Sequence, residues 1–272
     1  MYVRSNGVRQ VSDEEVAHFR DHGWVKLDQL ISAQRAGLLL ERAKEYVGPN
    51  GDAHEVRDGV DAPNLHWVDR HNLVREDECF GTVGLSAEMG TNVSRLLRRD
   101  VGALLAADML AIKIGTKQDS PSERRLATPW HQDAPDHPID RNGYVSFWIA
   151  LDHITPDMGG MRFVDRSNHL GLLGRTHSDL FGLYPELSEM AISEPLDFQP
   201  GDATAHSTYT IHGTAENQSM SPRWALIIAY LPEDAVYTGG LPWSLSTYAR
   251  RAAAILEPGD RFTDRVCVKL PA

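Results

Sequence analysis

Apolar residues recur with helical spacing through the first hundred positions and alternate like strands beyond them. Ser12 with Glu15 three residues on is a capping box, and Val16 and Phe19 give the short helix it opens one apolar face. Gly23 is the left-handed residue expected to end that helix. Trp24 to Asp28 alternates as a strand, and Ser32 caps a second helix through Leu38, Leu39, Leu40 and Tyr46, halted by Gly48-Pro49. A further helix is predicted over about 86–99, with Leu96 and Leu97 inward and Arg95, Arg98 and Arg99 solvated. Residues 49–75 are polar and rich in Gly, Pro, Asp and Asn. They are predicted to form a long loop, a lid over the site, with Trp67 as the apolar side chain it lays on a substrate and His66 and His71 beside it.

The second half reads as strands near 109–115, 129–133, 144–152, 161–164, 195–198, 202–207, 210–214 and 223–231. Eight short strands with turn signals between them predict a double-sheet jelly roll. With the helices packed on one sheet, the fold class is β-rich α+β. No repeat, low-complexity tract or linker divides the chain. One domain is therefore expected, with a helical part over about 12–100, a jelly-roll core over about 105–232 and an extension over 233–272.

Composition narrows the partners. A net charge of −11, from 27 basic against 38 acidic residues, argues against binding a phosphate backbone, so no nucleic-acid partner is expected. No apolar stretch approaches the ~20 residues of a membrane span. The opening residues, Met1 to Gly7, lack the apolar core of a signal peptide. Cys79 and Cys267 are too few and too scattered for a disulfide scaffold or a thiolate metal site, so the expected setting is a reducing cytoplasm. The oligomeric state leaves no mark on the sequence.

The densest chemistry lies in His131-Gln132-Asp133, with His212 and then Arg223 eleven residues later. Alternation along a strand puts His131 and Asp133 on one side and Gln132 on the other. Two imidazoles and a carboxylate on one face of a metal leave the opposite face open, the usual home of non-haem Fe(II) in oxygenases. A zinc-bound water is the chemical rival. Such a triplet alone is weak evidence in a chain with twelve histidines, and His206 competes with His212 for the third position. Arg223 opens an apolar strand on a face with Ala225 and Ile227. A guanidinium there needs an anion, and its planar fork suits a carboxylate, although a structural ion pair would also satisfy it. Thr214 shares a face with His212 and is placed to donate to that carboxylate. Lys113, in an apolar strand, faces the cavity or snorkels at an edge.

The order and spacing of Thr128-Pro-Trp-His-Gln-Asp133, Trp148-Ile-Ala-Leu-Asp152, Met158-Gly-Gly160, Gly201-Asp202, His212-Gly-Thr214 and Arg223 resemble the phytanoyl-CoA dioxygenase family of Fe(II)/2-oxoglutarate oxygenases, over about residues 12–232. The resemblance implies Fe(II) held by His131, Asp133 and His212, the last chosen over His206 because it precedes Gly-Thr and lies eleven residues before Arg223. It implies 2-oxoglutarate as cosubstrate on Arg223 and Thr214, with Gln132 and Trp148 lining its pocket, and O2 as oxidant. Ordinary core packing is the alternative for Trp148. Asp133 stands where related halogenating enzymes have a small residue, which implies hydroxylation of a small or medium metabolite, possible in secondary metabolism. Desaturation, cyclisation and epimerisation use the same cofactors. A ligand-binding jelly roll without oxidation, or a metal-dependent isomerase or hydrolase, are the readings from other classes.

Overall fold

The computed structural model describes residues 7–47, 67–98, 100–113, 127–141, 143–173, 179–239 and 247–271. Helix α1 (Asp13–His22) opens on the capping box: Ser12 Oγ accepts from the Glu15 N–H, and the Glu15 carboxylate accepts from the Ser12 N–H at 2.7 Å. It closes at Gly23, whose φ of 81° is left-handed and whose N–H donates to the Phe19 carbonyl. A Cβ at Gly23 would lie 2.6 Å from the side chains of Asn168 and Thr210, so the position excludes side chains on both backbone and steric grounds. Strand β1 (Trp24–Leu27) and helix α2 (Ala33–Val47) follow as the pattern predicts.

Next come strand β2 (Trp67–His71) and helices α3 (Leu73–Glu76), α4 (Glu78–Gly84) and α5 (Ala87–Leu97). The strand-rich part contains β3 (Ala103–Lys113), β4 (Thr128–His131), β5 (Val145–Ala150) and β6 (Met161–Phe163). After helix α6 (Leu180–Leu183) it continues with β7 (Ala203–Ser207), β8 (His212–Thr214) and β9 (Arg223–Pro232). Helix α7 (Thr247–Ile255) and strand β10 (Val268–Lys269) end the chain.

Every strand pairing is antiparallel. A larger sheet runs β1-β7-β5-β9-β3-β10, with β2 also on β3, and a smaller one runs β4-β8-β6. This is the expected two-sheet jelly roll with helices on one side, as an open pair of sheets rather than a closed barrel. Alternation divides the larger sheet cleanly. Phe147 and Ile149 of β5, Ala203 and Ala205 of β7, and Leu226, Ile228 and Tyr230 of β9 join Phe19, Leu39, Phe80 and Val93 in the main core under the helices. The opposite face, bearing Trp148 and Ala225, packs toward Met161 and Phe163 of the smaller sheet. Among the described residues, no helix is long and apolar enough to cross a membrane.

Three expectations need correction. Residues 67–71 are not loop: β2 pairs with β3 in a register from Trp67↔Lys113 to His71↔Met109, and α3 follows directly. An edge strand needs only the backbone ladder of its neighbour, so its polar composition concealed it. Residues 49–66 of the predicted lid lie outside the described residues. Residues 195–198 form no strand beyond the single bridge Ile154↔Phe198, because Pro195 and Pro200 remove ladder donors on either side. Finally, β3 starts at Ala103, well before position 109, and residues 114–115 are outside the described set.

Candidate active site

His131 and His212 are cross-strand partners on β4 and β8, and their rings lie 4.3 Å apart. Asp133 reaches them by a different route from strand alternation. Strand β4 ends at His131, and Asp133, at φ −71° and ψ −29°, opens a 3-10 turn over Ala134–Asp136. The Ala134 N–H donates to the Thr208 carbonyl at 3.0 Å and anchors that turn. One carboxylate oxygen, Asp133 Oδ1, then sits 3.7 Å from His131 Nε2 and 3.6 Å from His212 Nε2. The potential ligand atoms of the three residues all lie within 4.8 Å of one another.

The outer nitrogens complete the set. His131 Nδ1 faces the Pro129 carbonyl at 2.8 Å, and His212 Nδ1 faces the Thr210 carbonyl at 3.0 Å. A carbonyl only accepts, so each Nδ1 carries the hydrogen and each Nε2 presents a lone pair inward. Burial, with His206 and His131 adjacent, holds His212 well below the ordinary imidazole range and therefore neutral. Burial alone would raise the Asp133 carboxyl, but His212 and His206 hold it well below the ordinary carboxylate range. Two imidazoles that present Nε2 inward and one ionised carboxylate, open on the cavity side, form a donor set that fits Fe(II). His206 does not join the three. Its Nε2 lies 3.4 Å from the other carboxylate oxygen, Asp133 Oδ2, to which Ser146 Oγ donates at 3.0 Å.

A cavity of about 660 Å³ runs past these residues. At one end Thr128, Trp148, Thr214 and Arg223 line it. Arg223 is fully buried, donates to the Gly159 carbonyl at 2.5 Å and lies over the Trp148 ring at 5.3 Å. Burial lowers its guanidinium to about 9. Lys113, opposite Arg223 in register, is buried rather than at an edge. Its Nζ donates to Thr214 Oγ1 at 2.5 Å and to the Ala215 carbonyl at 2.6 Å. Burial, then the nearby Arg223 charge, lowers it to about 7. Gln132 does not line this cavity. Its amide donates to the Gly171 and Tyr209 carbonyls and accepts from the Leu173 N–H, so backbone groups absorb it.

Apart from His71, expected in the lid beside a substrate, the other end holds residues to which the sequence gave no role. Tyr144, Asp136, His137, His71 and Arg250 line it. His137 stacks on Tyr144 at 3.8 Å, and its Nδ1 lies 2.9 Å from the hydroxyl of Tyr248 on α7. Tyr144 and Ser146 share the face of Trp148 by alternation, a signal the sequence did contain. Tyr248 and Arg250 belong to helix α7 of the extension, a segment for which the pattern predicted no element.

Comparison with known proteins agrees with this geometry. The family model for phytanoyl-CoA dioxygenase matches residues 19–225. The methylphosphonate hydroxylase of Gimesia maris is 36% identical over 101 residues, a match covering 37% of each chain, so just over a third of that relative's length is spanned. A protein of Stutzerimonas stutzeri named as a probable alpha-ketoglutarate-dependent hypophosphite dioxygenase is 21% identical over 246 residues, covering 82% of this chain and 79% of that one. The crystal structure of the non-heme alpha ketoglutarate dependent carbocyclase SnoK from nogalamycin biosynthesis superposes with a TM-score of 0.76 at 20% identity, over 96% of this chain and 97% of that chain. Fold, facial triad and a family match extending from α1 into β9 together make this chain a member of the phytanoyl-CoA dioxygenase family of Fe(II)- and 2-oxoglutarate-dependent oxygenases.

Proposed function

We propose that this dioxygenase hydroxylates a C–H bond of a small or medium-sized metabolite, with His131, Asp133 and His212 holding Fe(II) and with Arg223 and Thr214 holding the distal carboxylate of 2-oxoglutarate. One observation carries the reading: a single cavity joins a buried guanidinium, three inward-facing ligand atoms and a further lining of mixed polarity that includes Tyr144, His137 and Arg250. With Fe(II), the cosubstrate and O2 supply the oxidation, in which 2-oxoglutarate, O2 and R–H become succinate, CO2 and R–OH.

The protein's part is binding and orientation. The Arg223 fork suits a bidentate carboxylate, and Trp148 keeps the guanidinium plane in place. Lys113 donates to the Thr214 hydroxyl, which donates onward to Thr128 Oγ1 at 2.9 Å. Met161 and Ile227 give the cavity apolar wall. On the substrate side, the Tyr248 hydroxyl is kept protonated by burial and donates to His137 Nδ1, so His137 Nε2–H becomes a donor for a substrate oxygen.

Succinate release across a metabolite panel, with Fe(II) and 2-oxoglutarate present, tests the activity. Mass spectrometry under 18O2 tests its outcome: one labelled oxygen in the product supports hydroxylation, and loss of two hydrogens without label overturns it. Arg250, His71 and His137 in the cavity lining favour a second reading, a substrate with an anionic head. Methylphosphonate therefore belongs in the panel. Two unpaired cysteines, Cys79 and Cys267, support a reducing cytoplasmic setting, and the net charge of −11 supports the absence of a nucleic-acid partner.

A further inference from the structure

We infer that Ser146 and His206 together restrict Asp133 to ligation through one oxygen, and so keep open the coordination position that cosubstrate and O2 need. The inference rests on the proposed triad and concerns two residues outside it.

A carboxylate can bind a metal through one oxygen or two. Two would occupy a fourth position and leave too few for a chelating keto acid together with O2. In this site the two oxygens are not equivalent. Asp133 Oδ1 faces both ligand imidazoles, at 3.7 and 3.6 Å. Asp133 Oδ2 is turned to the larger sheet, where it accepts from Ser146 Oγ at 3.0 Å and lies 3.4 Å from His206 Nε2. Ser146 and His206 are direct partners across β5 and β7, and both are buried, at 3% exposure each. Register therefore brings two donors from the larger sheet onto one oxygen carried by the turn that follows β4.

His206 carries a further sign that it is there for Asp133. His131 and His212 each satisfy Nδ1 on a backbone carbonyl, whereas His206 Nδ1 is buried and has no hydrogen-bond partner among the described residues. A ring present only to fill space would be better replaced by an apolar side chain, which leaves no acceptor unsatisfied. Its one polar contact is the carboxylate. Since a carboxylate accepts, His206 Nε2 carries the hydrogen, and the ring acts as a donor rather than as a ligand.

Co(II) reads out the metal site without turnover. Its affinity is measured by titration of the metal-free protein, and its visible spectrum reports coordination before and after 2-oxoglutarate. Ser146→Ala with His206→Leu should weaken Co(II) binding roughly 10–100-fold, the range for groups that orient metal ligands. The same protein should show an altered resting Co(II) spectrum and a smaller change on adding 2-oxoglutarate. Ser146→Thr with His206→Gln restores a donor at each place and should return both readouts toward wild type, which a merely structural role would not require. Melting of each metal-free variant reports folding. If the double variant does not fold, Ser146→Ala alone should still lower Co(II) affinity and alter the spectrum. Wild-type affinity and spectra in the folded variants would overturn the inference while Asp133→Ala, as control, loses Co(II). Full Co(II) affinity in Asp133→Ala would instead overturn the triad itself.

Discussion

At the scale of single residues, charge placement is the informative feature. Two cations, Arg223 and Lys113, face each other in register beneath the same cavity end, and burial lowers both. Removing one partner of a buried charge pair costs roughly 2–5 kcal/mol, so Arg223→Ala should weaken 2-oxoglutarate binding about 30-fold to several thousandfold by calorimetry. Arg223→Lys keeps the charge without the fork and should fall between. Lys113 adds a pH dependence. With a free value of about 7, it is partly neutral at physiological pH, and a carboxylate arriving beside Arg223 raises it. Its charged form helps binding fully below that value, and the help fades as pH rises through the higher value of the complex. Titrations at about pH 8 in buffers of different ionisation enthalpy should therefore show proton uptake on 2-oxoglutarate binding that disappears in Lys113→Met. That His131, Asp133, His212 and Arg223 meet at one cavity was legible, because their types and spacing follow from the proposed chemistry. Gln132 was misplaced because a loop that absorbs an amide, through Gly171, Leu173 and Tyr209, leaves no periodic trace.

At the scale of elements, caps and alternation were readable and edges were not. The Ser12–Glu15 box and Gly23 are local chemistry, and α1 begins and ends on them. Gly23 also reaches the site: its carbonyl accepts from the Thr210 hydroxyl at 2.6 Å, next to the carbonyl that orients His212. Gly23→Ala should cost at least roughly 1–2 kcal/mol in left-handed strain, lowering the melting temperature by roughly 2–8 °C, and should weaken Mn(II) binding by disturbing that turn. Helix α7 was missed because the tie between Tyr248 and His137 spans 111 positions, beyond any local pattern. Tyr248→Phe should release the His137 tautomer. Long-range proton–nitrogen NMR should show the Nε2–H form in wild type and a mixture in the variant, and one unchanged form in both would count against the assignment.

At the scale of the molecule, the proposed metal ligands and the proposed guanidinium anchor of the cosubstrate lie on different layers, and Thr214 of β8 reaches that anchor from the ligands' own layer. His131, Asp133 and His212 come from β4, the turn after it and β8, whereas Arg223 and Trp148 belong to the larger sheet. The expected two-sheet plan was legible from strand count and turns. This division was not, because it depends on which pairs of strands share a sheet. It has a consequence for the reaction cycle. A cosubstrate chelated at one end and gripped by Arg223 at the other is a clasp across the seam between the layers. Decarboxylation would shorten it by one carbon and exchange the two-atom chelate for a single carboxylate, so the clasp would loosen with each turnover. Amide hydrogen exchange in β4, β6 and β8 should slow when Mn(II) and 2-oxoglutarate are added together and stay fast with Mn(II) and succinate. Equal protection by both would mean that the layers are held by their own packing alone, and that product leaves a seam which never loosens.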